Sequence, residues 1–345
     1  MSMAMTQPVS DTPAPEALTY AELSFGEALH QAQQQAMELD PKVFIYGLGV
    51  DRTGAIFGST KGLPEQFGAE RVFDTPVSEQ ALTAMAAGAA NSGLRPVLVH
   101  QRLDFMLYTM DMVVNWISLW HFKSAGRSKL PLVIRAVVGK GWGQGPQHGK
   151  SLHSWFAHLP GLQVVMPSSP ADAKGLLMAS IFSNAPTIFI EGRSLYSMTE
   201  MVPDAPYMIP IGKAHVRREG HDITLVSMGM SVVQALRAAE LLAESGISAE
   251  VVDLRSVAPL DMETVLASVR KTKRLVVAEP GWRMFGTASE IVANVAEAMG
   301  PELKSAPAKV TWPHSHVPTS APLETQFYPT LENLVEVCRT SVGKG

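Results

Sequence analysis

Short apolar runs alternate with helix-length segments along most of the chain, and this alternation limits the fold more than any other feature. The first two hundred residues contain the runs KVFIYGLG, RPVLVH, LPLVIRAVV and TIFIEG. Each run reads as a buried strand, and helical patterns lie between them, as in residues 20–39 and 112–122. Strand–helix–strand spacing of this kind is that of a parallel sheet covered by helices. The sequence therefore predicts an α/β fold.

The chain is long enough for two domains. Its 345 residues exceed what a single hydrophobic core usually organises. The Pro-rich segment Met201–Pro210 breaks the pattern, and a second strand–helix series starts at DITLVSMG. We predict one domain over residues 20–205 and another over residues 210–342. Residues 1–19 are rich in Pro, Ser and Thr and lack the pattern of a signal peptide, so we expect a disordered tail.

Composition excludes several classes of protein. The formal charge is −4 and there is no basic stripe, which argues against nucleic-acid binding. No uncharged apolar stretch is long enough to cross a bilayer. Cys338 is the single cysteine, which excludes a disulfide framework and fits a cytoplasmic location. With 46% apolar and 17% charged residues, we expect a surface that is either unusually apolar or covered by another subunit.

One acidic residue stands out between the first strands. In residues 72–111, a short strand (VF) leads through the turn DTPVSE to Glu79, at the mouth of a small, apolar helix predicted for Gln80–Ser92. Two interpretations are open. Glu79 is either a charge favoured by the positive end of the helix dipole, or an acid held in a dry pocket to exchange a proton or hydrogen bond with a cofactor.

Several common catalytic motifs are missing. The Gly-rich run GKGWGQGPQHG does not fit a phosphate loop, and there is no HExxH, CxxC or GxSxG sequence. His148, His153 and His158 are five residues apart, a spacing that does not bring them to one helical face as zinc ligands. The sequence therefore predicts neither a nucleotide-binding loop nor a zinc site.

Four segments together resemble a known family: FDTPVSEQ, GLRPVLVHQRLDF, GPQHGKSLHSWFAHLPGLQVVMPSSPADAKGLL and AEVVDLRSVAPLD. They are similar to the β subunit (E1β) of thiamine-diphosphate-dependent 2-oxo acid dehydrogenases of the transketolase superfamily, over residues 20–337. The resemblance implies two parallel-sheet domains. Residues 20–205 would form a transketolase-like pyrimidine-binding domain, and residues 210–342 a transketolase C-terminal domain.

The resemblance also implies roles for particular residues. Glu79 would hydrogen-bond the pyrimidine ring of thiamine diphosphate, Phe105 would pack against that ring, and Val77 would lie beside it. His148 would project into the active-site channel and handle protons. From the residues alone, core packing explains Phe105 and Val77 equally well, and an exposed loop position explains His148.

The family binds the diphosphate through Mg²⁺ with a GDG motif, which this chain lacks. A separate α subunit is therefore implied, supplying the Mg²⁺ and diphosphate half of the site in an α₂β₂ tetramer. The implied activity is decarboxylation of a 2-oxo acid with acyl transfer to lipoamide, with a lipoyl acyltransferase as a further partner. The alternatives are a two-chain transketolase-like or acyloin-forming C–C ligase with the same cofactor, and a non-catalytic scaffold.

Several positions depart from the family pattern: Val99, His100, Arg102, Gly149, Lys150 and His153. Arg102 and His153 replace other residue types, and we expect either to contact substrate. Arg102 is open to two interpretations: a surface or interface ion pair, or a guanidinium that receives an extra carboxylate or phosphate of the substrate. The resemblance further implies a K⁺ site at the carbonyls of Ser180 and Ile181, where Ser183 replaces a common aspartate.

Overall fold

A computed structural model describes residues 19–52, 54–140 and 143–343. The tail predicted for residues 1–19 lies outside this range, apart from residue 19. Three sheets are present in the described chain, with seven, five and two strands. Within the described residues, no helix is both long and apolar enough to cross a membrane. The predicted α/β fold with parallel sheets is confirmed.

The largest sheet organises the first domain. Its strand order is β12–β6–β7–β5–β4–β2–β3, and every neighbouring pair except β12–β6 is parallel. Its strands are β2 (Val43–Gly47), β3 (Val72–Phe73), β4 (Arg95–His100), β5 (Val133–Val138), β6 (Gln163–Val165), β7 (Thr187–Gly192) and β12 (Ser256–Ala258). Because β12 comes from the second half of the chain, the two halves share this sheet.

The second half forms a five-stranded sheet of order β14–β13–β10–β11–β9, in which only β9 is antiparallel to its neighbour. Its strands are β9 (His215–Arg218), β10 (Ile223–Ser227), β11 (Ala249–Asp253), β13 (Leu275–Trp282) and β14 (Ala308–Trp312). The two-stranded sheet pairs β1 (Tyr20–Ser24) with β8 (Thr199–Pro203) in antiparallel register.

Helices cover both faces of the sheets. They are α1 (Phe25–Leu39), α2 (Leu63–Phe67), α3 (Glu79–Asn91), α4 (Met110–Met112), α5 (Trp120–Lys123), α6 (His153–Ala157), α7 (Pro170–Phe182), α8 (Ser231–Glu244), α9 (Met262–Thr272), α10 (Thr287–Met299), α11 (Ala321–Phe327) and α12 (Leu331–Val342). Successive residues of a strand point to opposite faces of the sheet, and each face has its own hydrophobic core. Ile45 and Val97 pack on one side, and Tyr46 and Leu98 on the other. Both faces of this sheet are therefore buried, as parallel sheets require.

Two helix predictions need correction. The helix predicted from Tyr20 begins at Phe25, because Ser24 and Glu27 form a capping box there and residues 20–24 pair with β8 as a strand. The helix predicted over residues 112–122 is interrupted by a π-helical turn, Val113–Ile117. There the Ser118 amide donates to the Val113 carbonyl, and the Ser118 hydroxyl donates to the Val114 carbonyl.

Candidate active site at the carboxyl edge of the larger sheet

Loops from five parallel strands meet at one edge of the larger sheet. Parallel strands present their carboxyl ends together, and this edge is where α/β proteins usually bind ligands. The side chains that follow these strands are Phe57 after β2, Glu79 after β3, Arg102 and Phe105 after β4, His148 after β5 and Arg193 after β7. The sheet topology therefore gathers residues that are up to 136 positions apart, from Phe57 to Arg193.

Glu79 is the first residue of α3. Its side chain is half-buried, and its carboxylate makes no hydrogen bond or ion pair with any residue in the described part of the chain. The first turn of α3 is fixed by Tyr46, whose hydroxyl donates to the Leu82 carbonyl at 2.5 Å. The helix dipole favours a negative charge at this end, but the carboxylate oxygens can still accept hydrogen bonds. Glu79 is therefore available to a ligand or a partner chain.

Phe105 and His148 lie against each other. Their ring centroids are 5.3 Å apart and the rings are nearly perpendicular, at 79°. Both side chains are half-buried. The His148 loop folds back closely on the end of β5: a Cβ at Gly139 would lie 2.6 Å from the His148 carbonyl oxygen, so the close approach requires glycine. The structure thus brings together two of the residues predicted for the site.

Val77 precedes α3 and its side chain is 73% exposed. The interpretation of Val77 as a core residue is therefore wrong for this chain. A residue that contacts a ligand shared with a second subunit would be exposed in the isolated subunit, so its contact with a cofactor stays a prediction.

Arg102 lies on the ring of Phe57, with the guanidinium carbon 5.5 Å from the ring centroid. Its Nη1 is buried and has no hydrogen-bond partner among the described residues. Within the same residues, no carboxylate lies within 4.0 Å of the Arg102 guanidinium. An ion pair of Arg102, which is one of its two interpretations, would need a carboxylate outside the described residues.

His153 makes its contacts inside the protein. Its ring is fully buried, with Nε2 2.7 Å from Glu279 Oε1 and Nδ1 3.0 Å from the Ser151 hydroxyl. Both ring nitrogens are thus engaged inside the protein, between the first domain and β13. This arrangement does not fit the expected substrate contact. The sequence does contain a signal for this buried contact: Glu279 is an acid within the apolar run RLVVAEP.

The turn expected to hold K⁺ already contains a positive charge. Arg95 Nη1 donates to the carbonyls of Ile181 and Ser183, each at 3.0 Å, and Arg95 Nε lies 3.3 Å from Asp40. The Ser180 hydroxyl donates to Leu176. These contacts do not favour a second cation. No group of three or more His, Cys, Asp or Glu side chains within the described residues could hold a metal ion.

The sequence did not single out Phe57, Arg193 or the network that supports them. Arg135 is fully buried and donates to Glu191, from Nε at 2.6 Å and from Nη2 at 3.0 Å. The Tyr196 hydroxyl also donates to Glu191, and the Tyr196 ring packs edge-on against Phe57 at 5.2 Å. The available signal was a charged residue inside each of the runs LPLVIRAVV and TIFIEG, since buried charges require partners.

Comparisons with known proteins agree with this geometry. Residues 21–199 match the family model "Transketolase, pyrimidine binding domain", and residues 212–334 match "Transketolase, C-terminal domain". The chain is 39% identical to the mitochondrial pyruvate dehydrogenase E1 component subunit beta-1 of Arabidopsis thaliana, covering 92% of this chain and 89% of that protein. It is 38% identical to the acetoin:2,6-dichlorophenolindophenol oxidoreductase subunit beta of Bacillus subtilis, covering 93% and 98%.

Among solved structures, a split-gene transketolase described as an inactive β4 tetramer matches with a TM-score of 0.77 and 25% identity, covering 93% of this chain and 99% of that one. The fold and site thus define a transketolase-like subunit. The chain belongs to the E1β family of thiamine-diphosphate-dependent 2-oxo acid dehydrogenases. Because its relatives are β subunits, membership implies an E1 complex with an α subunit.

Proposed function

We propose that this chain is the β half of an E1 component that decarboxylates a 2-oxo acid and transfers the acyl group to lipoamide. The observation that carries the proposal is the half-buried Glu79 carboxylate, unpaired among the described residues, at the sheet edge that also carries the Phe105–His148 pair. An acid without a partner at a ligand-binding edge fits a role toward a bound group. The similarity to pyruvate dehydrogenase E1 subunits supports the same activity.

Thiamine diphosphate, when bound, supplies a carbanion that adds to the 2-oxo carbon and an electron sink for the loss of CO₂. In this proposal Glu79 hydrogen-bonds a pyrimidine ring nitrogen and holds the proton there. Phe105 and Val77 give the ring an apolar surface to pack against. His148 holds or releases a proton on the substrate side of the channel, since an imidazole can act as both proton donor and proton acceptor.

The remaining half of the site would come from the α subunit. This chain has no GDG motif, and its described residues offer no cluster of metal ligands. Mg²⁺ and the diphosphate would therefore be held by the α subunit, in an α₂β₂ tetramer with the reaction centre between unlike subunits. A lipoyl acyltransferase would receive the acyl group.

The proposal is tested by co-expressing the chain with an α subunit that carries the GDG motif. We expect the purified complex to release CO₂ from a 2-oxo acid and to acylate a lipoyl domain, dependent on thiamine diphosphate and Mg²⁺.

A second function, C–C ligation, is favoured by the structural similarity to the split-gene transketolase. Product formation only with an aldehyde acceptor, and none with the lipoyl domain, would assign ligation. No turnover with either acceptor would contradict both functions.

A further inference from the structure

We propose that Arg102, which shares the ring of Phe57 with Arg193, binds an anionic group at the non-reacting end of the substrate. The group would be a carboxylate or a phosphate, which present the same oxyanion chemistry to a guanidinium. This inference rests on the proposed function and adds the substrate class. It applies to 2-oxo acids that carry a second negative charge.

The two arginines share one aromatic ring. The guanidinium carbon of Arg193 lies 4.0 Å from the Phe57 ring centroid, and that of Arg102 lies 5.5 Å from it. Phe57 has a positive φ of 54° and its neighbour Ile56 one of 47°, so this loop is held in an uncommon conformation. Strained loops of this kind concentrate at ligand sites.

A cavity opens beside Arg102. Its volume is about 250 Å³, and it is lined by Gly54, Ile56, Phe57, Gln101 and Arg102. The Gln101 side-chain amide donates to the Leu48 carbonyl at 3.2 Å, which fixes one wall. This volume is sufficient for a carboxylate or phosphate group.

Among the described residues, no carboxylate pairs with the Arg102 guanidinium, and the charge of Asp104 only partly offsets its burial. Burial, and next the positive charge of Arg193, lower the pKa of Arg102, although an arginine stays charged at neutral pH. The buried carboxylate of Glu191 is already engaged by Arg135 and Tyr196, and Asp104 accepts a hydrogen bond from Lys150 at 3.1 Å. Arg102 Nη1 has no hydrogen-bond partner in the described residues, a state that is costly until an anion binds.

Gly139 connects this region to the reaction centre. A Cβ on Gly139 would lie 3.6 Å from Arg102 Nη1 and 2.6 Å from the His148 carbonyl oxygen. Arg102 therefore lies beside the loop that carries His148, whose ring contacts Phe105. An anionic group on Arg102 would thus belong to a molecule that reaches the His148 side of the channel.

The group bound by Arg102 is unlike the carboxylate that leaves as CO₂. A guanidinium paired with the leaving carboxylate would stabilise the bound substrate more than the transition state, in which that charge moves away. Binding at the far end of the substrate carries no such penalty. It also gives discrimination, since an arginine fork left without its anion disfavours substrates with uncharged tails.

The test uses the α/β complex and three substrates: 2-oxobutanoate, whose tail is uncharged, 2-oxoglutarate and 3-phosphohydroxypyruvate. For the anion-tailed substrate that the wild type prefers, we expect Arg102→Leu to raise KM by about 10- to 150-fold, the range of a charged hydrogen bond. KM for 2-oxobutanoate should stay within about threefold of the wild type. A higher kcat/KM for 2-oxoglutarate would mean that Arg102 binds a carboxylate. A higher value for 3-phosphohydroxypyruvate would mean that it binds a phosphate. Arg102→Lys should be intermediate, because it keeps the charge but loses the fork.

Arg127→Leu is the matched control: Arg127 is exposed, precedes β5 at the opposite edge of the sheet, and should leave every KM unchanged. If Arg102→Leu reduces activity on all three substrates equally and the complex dissociates on a sizing column, Arg102 pairs with an α-subunit carboxylate and the inference is overturned.

A binding measurement separates this inference from the proposed function. Calorimetry with succinate and inorganic phosphate on the loaded wild-type complex should give binding of one of them, lost in Arg102→Leu and kept in Arg127→Leu. This result would support the anion site even if no 2-oxo acid were decarboxylated. Absence of binding by both ions to the wild type would overturn the anion site even if decarboxylation were observed.

Discussion

His153 Nε2 lies 2.7 Å from Glu279 Oε1, and this buried hydrogen bond joins the first domain to the second. The Glu279 carboxylate also accepts the backbone N–H groups of Thr287 and Ala288, at 2.9 and 2.8 Å, at the start of α10. Burial alone would raise the pKa of Glu279, but the hydrogen bond and charge of His153 and these N–H groups together hold it below its ordinary value. Together with the pairing of β12 and β6, this contact fixes the relative position of the two domains.

We therefore expect His153→Ala to destabilise the chain by about 3 kcal/mol, because removing one partner leaves a buried carboxylate with fewer hydrogen bonds. Urea denaturation of the purified chain measures this change. The matched control is His158→Ala, since His158 is exposed at the end of the same short helix, α6. Unchanged stability together with a selective rise in substrate KM would instead support the substrate contact that the sequence suggested.

Glu79→Gln is expected to leave folding and assembly intact while activity falls by at least about 100-fold, the scale of acid–base participation. The two side chains have nearly the same size, and no described residue depends on the Glu79 carboxylate. Turnover of the α/β complex and its elution volume are measured together. Glu65→Gln is the control, because Glu65 lies in the first turn of α2 and is exposed. Activity within about threefold of wild type would exclude a role for Glu79 toward the cofactor.

Much of the fold could be predicted because buried strands leave a local signal. The runs around Ile45, Val97, Ile134 and Ile188 are apolar on both faces, which only a covered parallel sheet explains. No such signal indicates the π-helical turn that interrupts a helix at Val113–Ile117, or the pairing of β12 with the first sheet. Both depend on hydrogen bonds and contacts made only in the folded chain.

The site was predicted in part for a related reason. Glu79 and His148 lie in turn and loop motifs that a sequence displays directly, and Arg102 was noticed as an unusual charge. Phe57 and Arg193 reach Arg102 only through the order of β2, β4 and β7 in the sheet, so spacing along the chain gave no indication of them. His153 was assigned to substrate because it departs from the family pattern, whereas in the structure α6 directs its ring toward Glu279.

The isolated chain is expected to bind thiamine diphosphate weakly or not at all. Contacts to the pyrimidine half alone cannot offset the entropic cost of binding to give micromolar affinity. Calorimetry on the isolated chain, with Mg²⁺ present, should give no measurable heat, whereas the α/β complex should bind. Tight, Mg²⁺-dependent binding by the isolated chain would contradict the division of the site between two subunits.

His148→Ala is expected to slow acyl or aldehyde transfer by about 100-fold while the affinity for thiamine diphosphate changes little. The reason is that the His148 ring contacts Phe105 at the substrate side of the proposed channel. Transient kinetics of the α/β complex and cofactor titration give the two quantities separately. His121→Ala serves as control, because His121 is exposed near the opposite edge of the sheet. An equal loss in both quantities would indicate a structural role.

The last prediction concerns His100, the final residue of β4, which is 2% exposed and lies 3.4 Å from the Thr83 hydroxyl. Burial lowers its pKa from 6.5 to about 4. Between these values the unfolded chain binds a proton that the folded chain does not, so the free energy of unfolding should fall as pH decreases from 6.5 to 4. The size of the effect is at most about 3 kcal/mol.

Asp253 has the opposite effect on the pH dependence of stability. Burial, and next the charge of Asp172, raise its pKa from 3.8 to about 7. Its contribution to stability is therefore lost as pH rises through this range. The two effects are separated by comparing the wild type with His100→Gln, which does not titrate and retains Asp253. Urea denaturation of the wild type and of the variant at about pH 4.5, 5.5, 6.5 and 7.5 gives the free energy of unfolding of each protein as a function of pH. We expect the wild type to lose stability relative to the variant as pH falls below 6.5. Parallel curves over the whole range would mean that His100 is not held neutral by burial.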